Sequence, residues 1–172
     1  NEGYILNGKL FNCGYADRNY DKLEKFKPFI LEDGGSMPAK IDDSLKKEID
    51  KELTNAASAL KLKNGTLKGD IVVGENNKVY VIEVATRLSG GFFCTDQIPA
   101  TTGVDLVRQT ISFAVGAPIK TIELMPNHKC FSEIRYWFPK KGKLVKIPNL
   151  NNILKEKQVL KANIFYPINT YF

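Results

Sequence analysis

Histidine is almost missing: His128 is the only one in 172 residues. That removes a histidine-built metal cluster and any basis for a Ser-His-Asp triad. We read His128 as a loop residue after Pro126. Cysteine is scarce and scattered. Cys13, Cys94 and Cys130 form neither a CxxC nor a zinc spacing. An odd, unclustered set reads as reduced thiols of a cytoplasmic protein, and Cys94 as a small buried apolar residue. No apolar run approaches the roughly 20 residues that span a bilayer. The first residues are polar and carry no apolar run, so no signal peptide is expected. Charge of both signs is plentiful, with Lys+Arg 25 against Asp+Glu 19, net +6. The densest lysine groups (Lys22 to Lys27, Lys61 to Lys68, Lys140 to Lys143) alternate with acids or sit in turns, and no RNA-binding motif accompanies them. They read as a solvated surface, so neither nucleic acid nor membrane is expected as a partner.

What is present concentrates in one stretch. Lys68-Gly-Asp-Ile-Val-Val and Val79-Tyr-Val-Ile-Glu-Val-Ala read as two apolar strands, each with one carboxylate, Asp70 and Glu83. A charge among apolar strand residues is costly unless paired or bound to a cation. With Asn76-Asn77 as a two-residue hairpin loop, Asp70 faces Glu83, Ile71 faces Ile82 and Val72 faces Val81. A four-residue loop gives the same register. The two Cβ atoms would then lie about 5 Å apart on one face. Two carboxylates that close share a proton or a cation, and oxygen ligands suit Mg²⁺ or Mn²⁺ better than zinc. A three- or five-residue loop would put them on opposite faces. Arg87 and Ser89-Gly90-Gly91 follow directly. Paired glycines let backbone N–H groups approach an anion.

The rest of the chain reads as α+β. Tyr4 to Tyr15 is a β-hairpin turning at Asn7-Gly8. Asp17 to Phe29 reads as an irregular loop, and Gly34-Gly35-Ser36 as a break. A helix is expected from about Asp42 to Leu62, capped by Asp42 or Asp43, with Ile41, Leu45, Ile49, Leu53, Ala56 and Leu60 as its buried stripe. Ser89 to Ala100 reads as a loop. A second helix should start near Thr102 and bury Val104, Val107, Ile111 and Ala114. Strands are expected from Glu123 onward. Trp137 and the aromatic end, Phe165 to Phe172, read as filling a core or an interface.

The residues from Asp70 to Gly91 resemble the metal- and phosphate-binding half of an ATP-grasp enzyme. The pattern there is Glu-x-Asn-x-Arg followed by a Gly-rich loop; here it stands as Glu83-Val-Ala-Thr-Arg87, then Leu-Ser-Gly-Gly91. The resemblance implies Asp70 and Glu83 as metal ligands and Arg87 on phosphoryl and acyl-phosphate oxygens. It implies Arg18 as a further phosphate contact, and Ser89, Gly90 and Gly91 around a carboxylate substrate. Ala85 stands where many members carry a third ligand, Asn. A small residue there resembles the amino-acid-ligase and carbamoyl-phosphate-synthase-like branch. The implied fold is an antiparallel ATP-grasp sheet with packed helices over residues 1–120 and a small β-rich lobe over 121–172. The implied activity is an ATP-dependent carboxylate–amine (or thiol) ligase working through an acyl-phosphate, with ATP and Mg²⁺ or Mn²⁺ as cofactors. Small-molecule carboxylate and amine substrates are the implied partners, and a homo-oligomer is left open. The chain does not begin with Met, and with the family in view it reads as part of a larger enzyme whose N-terminal domains lie elsewhere. Two other readings stay open: a non-catalytic ATP-grasp-like scaffold domain, and a two-carboxylate metal phosphohydrolase.

Overall fold

The computed structural model describes all 172 residues. Backbone contacts divide them into Asn1–Tyr136 and Trp137–Phe172, where the sequence suggested a boundary at 120/121.

The first unit contains two antiparallel sheets. Strands β1 (Glu2–Leu6) and β2 (Lys9–Gly14) make the hairpin expected at Asn7-Gly8, both turn residues having positive φ, 52° and 78°. Strands β5 (Gly65–Val73) and β6 (Val79–Ala85) complete a sheet of order β2-β1-β5-β6. The second sheet runs β3-β4-β7, from β3 (Asp17–Asn19), β4 (Gly34–Met37) and β7 (Ser132–Arg135). The loop expected at Asp17 to Phe29 therefore holds a strand and a short helix, α1 (Leu23–Phe26).

Gly34-Gly35-Ser36 is a strand rather than a break. β4 lies between two partners at very close range: a Cβ on Gly34 would sit 2.1 Å from the Ile134 carbonyl oxygen, and one on Gly35 2.7 Å from that of Asp17. Gly34 also has φ +142°, a conformation that other residues rarely adopt. Here glycine marks a tight backbone approach inside a sheet.

Successive β1 side chains face opposite ways. Ile5 joins Leu67 and the stripe Leu45, Ile49, Leu53 and Ala57 of helix α2 (Asp43–Ala59). Tyr4 joins Cys13, Met37, Ile98, Val104, Leu106 and Leu124 on the other face. The Asp42 side chain accepts from the Leu45 N–H, as the capping reading requires. The stripe ends at Ala57 rather than Ala56, and Leu60, just past the last turn, is exposed. Burying each large aliphatic of this stripe contributes about 2 kcal/mol.

The segment expected as a loop at Ser89 to Ala100 instead winds through a π turn, Phe93–Gln97, into α3 (Ile98–Thr102), with Pro99 in its first turn. Gly103 ends α3 in the left-handed region, so the next helix, α4 (Leu106–Ala114), begins later than expected and is capped by Asp105. The shift moves the buried face from Val107 and Ile111 to Leu106 and Gln109.

Residues 121–172 carry little strand. Besides β7 there is a 3₁₀ turn at Thr121–Leu124. The second unit holds only α5 (Leu150–Ile153) and an isolated bridge, Lys143 to Tyr171. Pro139, Pro148 and Pro167 lack the N–H that a ladder needs. Trp137 does not fill a core: it is 85 % exposed, and Phe165, Tyr166 and Tyr171 are also exposed.

Candidate functional site

Asp70 and Glu83 are directly opposed across β5 and β6, by a route the sequence did not suggest. The hairpin loop is five residues, 74–78, because Val73 pairs with Val79. It closes with Gly74 N–H donating to Lys78 O at 2.9 Å, and both Asn76 and Asn77 have φ 57°. In a regular ladder that length puts Ile82 opposite Asp70 and turns Glu83 to the other face. The ladder is not regular. A β-bulge at Ile82 adds one residue to β6, so the register changes from Ile71–Val81 to Asp70–Glu83. Loop length and bulge together restore the pairing that the simpler loop would have given.

A lysine sits between the acids. Lys68 Nζ donates to Asp70 Oδ2 at 2.5 Å and to Glu83 Oε1 at 3.4 Å, with its own side chain largely buried. Arg18 Nη2 lies 3.4 Å from the other Asp70 oxygen, and Arg18 Nη1 is paired with Glu32. Burial alone would raise the Asp70 carboxyl. The Lys68 hydrogen bond and the charges of Arg18 and Lys68 outweigh it and hold Asp70 below its usual value.

These groups border a cleft of about 350 Å³ lined by Arg18, Lys68, Arg87, Ser89, Gly90, Gly91 and Tyr136, among others. Arg87 is exposed; its Nη1 reaches only the Leu88 carbonyl, at 3.2 Å, and it forms no ion pair. The loop after it is pinned at three points. Ser89 N–H donates to Glu2 Oε1 at 2.9 Å, Cys94 Sγ donates to Ser89 O at 2.9 Å, and Tyr136 OH donates to Gly91 O at 3.2 Å. Cys94 is buried, as expected, and burial pushes its thiol up to about 11. Glu2 is fully buried, and its Oε2 and the Ser89 hydroxyl oxygen have no partner. Burial raises the Glu2 carboxyl despite the hydrogen bond from the Ser89 N–H.

All seven candidates from the sequence thus fall in one region: Arg18, Arg87, Ser89, Gly90 and Gly91 in the cleft, Asp70 and Glu83 beside Lys68. Sequence reasoning missed Lys68, Glu2, Glu32 and Tyr136. Lys68 was legible: it is two residues from Asp70 in a strand, hence on the same face. Glu2 carried the same signal as Asp70, an acid inside an apolar strand.

The donor set fits a hard divalent cation. It is oxygen-only, and the Lys68 ammonium contacts both carboxylates. The chain has no group of three or more His, Cys, Asp or Glu able to hold a metal alone. Two carboxylates with phosphate and water completing the shell is a common arrangement for Mg²⁺.

Residues 36–122 match the family described as carbamoyl-phosphate synthase L chain, ATP binding domain. The chain belongs to this family. The matched range holds Asp70, Glu83, Arg87 and the Ser89–Gly91 loop, and leaves out Glu2, Arg18 and Tyr136. No curated protein sequence matches the chain significantly. Among solved structures, L-amino acid ligase from Bacillus licheniformis is similar, with TM-score 0.85 and 20% identity over 99% of this chain and 43% of that one. Phosphoribosylglycinamide synthetase from Anaerococcus prevotii gives 0.79 and 17%, over 98% and 42%. A biotin carboxylase from Campylobacter jejuni, solved as a complex with β,γ-ATP, gives 0.59 and 20%, over 77% and 28%. The ATP-grasp fold is thereby shown, and the chain spans less than half the length of each of these three structures. No helix is long and apolar enough to cross a membrane.

Proposed function

We propose that this ATP-grasp chain carries the metal- and phosphate-binding part of an ATP-dependent carboxylate–amine ligase that works through an acyl-phosphate. The observation that supports this best is the opposed pair Asp70–Glu83, bridged by Lys68, which itself lines the cleft that holds Arg87 and the pinned Ser89–Gly91 loop. In this reading Asp70 and Glu83 hold Mg²⁺ or Mn²⁺, which when bound neutralises charge on the ATP phosphates. The γ-phosphoryl passes to a substrate carboxylate oxygen, ADP leaves, and an amine then displaces phosphate at the acyl carbon.

The chain's own residues supply positioning. Arg87, unpaired and exposed, offers a planar fork to phosphoryl and acyl-phosphate oxygens. Arg18, held by Glu32 and Asp70, supports the same end of the cleft. Ser89, Gly90 and Gly91 shape the carboxylate pocket, with Glu2, Cys94 and Tyr136 fixing the loop. Small-molecule carboxylate and amine substrates, and a reducing, cytoplasmic setting for three unpaired cysteines, belong to the same proposal.

Calorimetric titration of Mg-ATP into the chain tests the reading, with Asp70→Asn/Glu83→Gln as control. Binding that the double substitution removes is expected. Binding that survives it unchanged would move the assignment to a scaffold domain. Hydrolysis of a simple phosphate ester without ATP would favour the two-carboxylate hydrolase, although the only histidine, His128, is not among the cleft residues.

A further inference from the structure

Strand β5 pairs with β6 so that Lys68 is opposite Ala85 and Asp70 is opposite Glu83. These four residues share one face. Ala85 is the smallest side chain that could stand across from Lys68 without being glycine, and it leaves the lysine stem room to lie along the strand. The ammonium reaches both acids, at 2.5 Å and 3.4 Å, while the residue as a whole is only 8 % exposed. A lysine so far from water is retained at a cost unless its charge is used.

We infer that Lys68 is a built-in counter-cation that keeps Asp70 and Glu83 assembled in the metal-free state and that a divalent ion must displace it. The inference rests on the metal-site reading proposed above. It follows from charge: two carboxylates opposed on adjacent strands repel, and the ammonium removes that repulsion. A divalent ion bound between the same oxygens would lie too close to the ammonium for both to stay. Lys68 lines the cleft even while it holds the two acids. Once displaced, its ammonium faces the space where anionic phosphate oxygens would lie. Lys68 therefore lowers affinity for free metal and delivers a positive charge to the cleft when metal arrives. Ala85, opposite it, is what permits both positions.

The test uses the 172-residue chain and Mn²⁺ or Mg²⁺ alone, at about pH 8 so that carboxylates stay ionised. Mn²⁺ binding is read by electron paramagnetic resonance for wild type, Lys68→Met, Lys68→Arg and Asp70→Asn. Lys68→Met should bind Mn²⁺ at least about tenfold more tightly, because a nearby like charge has gone. Lys68→Arg should stay near wild type and Asp70→Asn should lose binding. In wild type, the Lys68 ammonium resonance in ¹H–¹⁵N spectra should be protected without metal and should shift on adding Mg²⁺; this needs no variant. Equal affinity in wild type and Lys68→Met, with Asp70→Asn still defective, would overturn the displacement inference and leave the metal site standing. Affinity unchanged by Asp70→Asn, or no binding in any variant, would remove the metal site and this inference with it.

Discussion

Glu2 and Asp70 are both acids in apolar strands, yet their surroundings push them in opposite directions. Asp70 is depressed. Its contribution to stability is present above the ordinary carboxylate range and is lost as pH falls through its lowered value. Glu2 is raised by burial, so its charged form is disfavoured in the fold. As pH climbs from the ordinary glutamate value of 4.5 through the raised one, Glu2 subtracts from stability. Glu2→Gln keeps an oxygen for the Ser89 N–H and removes the charge. It should flatten that part of a pH–stability profile measured by urea unfolding. Glu2→Ala removes the acceptor as well, orphaning a buried N–H at a cost of about 1–3 kcal/mol. Hydrogen exchange at the Ser89 amide should then quicken by about tenfold or more, and stay slow in Glu2→Gln.

At the scale of elements, the bulge at Ile82 is decisive, and it leaves no local sequence signal, since Ile82 continues the apolar run of β6. Periodicity placed β5 and β6 correctly, and the capping aspartate and apolar spacing placed α2. The opposition of Asp70 and Glu83 was legible, but the loop assumed for it was not the one that forms. Elsewhere the misreadings share a cause. Gly34-Gly35 and the stretch after Gly91 looked like breaks because glycine is a local signal, while β4 and the π turn are made by long-range neighbours. The bulge can be tested without changing composition. Exchanging the two residues, Ile82→Glu with Glu83→Ile, puts the carboxylate at the extra position. Mn²⁺ binding should fall by about tenfold or more, with unfolding free energy changed by less than about 1 kcal/mol, because both side chains are exposed. Gly34→Ala meets the Ile134 carbonyl and a forbidden φ together, and should cost about 2–4 kcal/mol by the same urea measurement.

Across the whole molecule the net charge of +6 converges with a local feature, the cleft that gathers Arg18, Lys68 and Arg87. The lysine groups alone suggested only a solvated surface. The folded chain gathers three cations into one cleft, two of them drawn from segments fifty residues apart in sequence. Association of a polyphosphate should therefore slow and weaken as salt rises, since the Debye length falls to about 8 Å near physiological ionic strength. Stopped-flow association at two salt concentrations checks this; salt-independent association would count against a cationic cleft. The bulge has one more effect. β6 is an edge strand of its sheet, with Tyr80, Val81 and Ile82 exposed along it. Such a strand is a template for pairing with another chain, and bulges that twist the edge are a common guard against it. Deleting Ile82 keeps Asp70 opposite Glu83 and straightens the ladder. The variant should hold metal as before but form oligomers in size-exclusion chromatography, because the irregularity that aligns two carboxylates also keeps neighbouring molecules from zipping together.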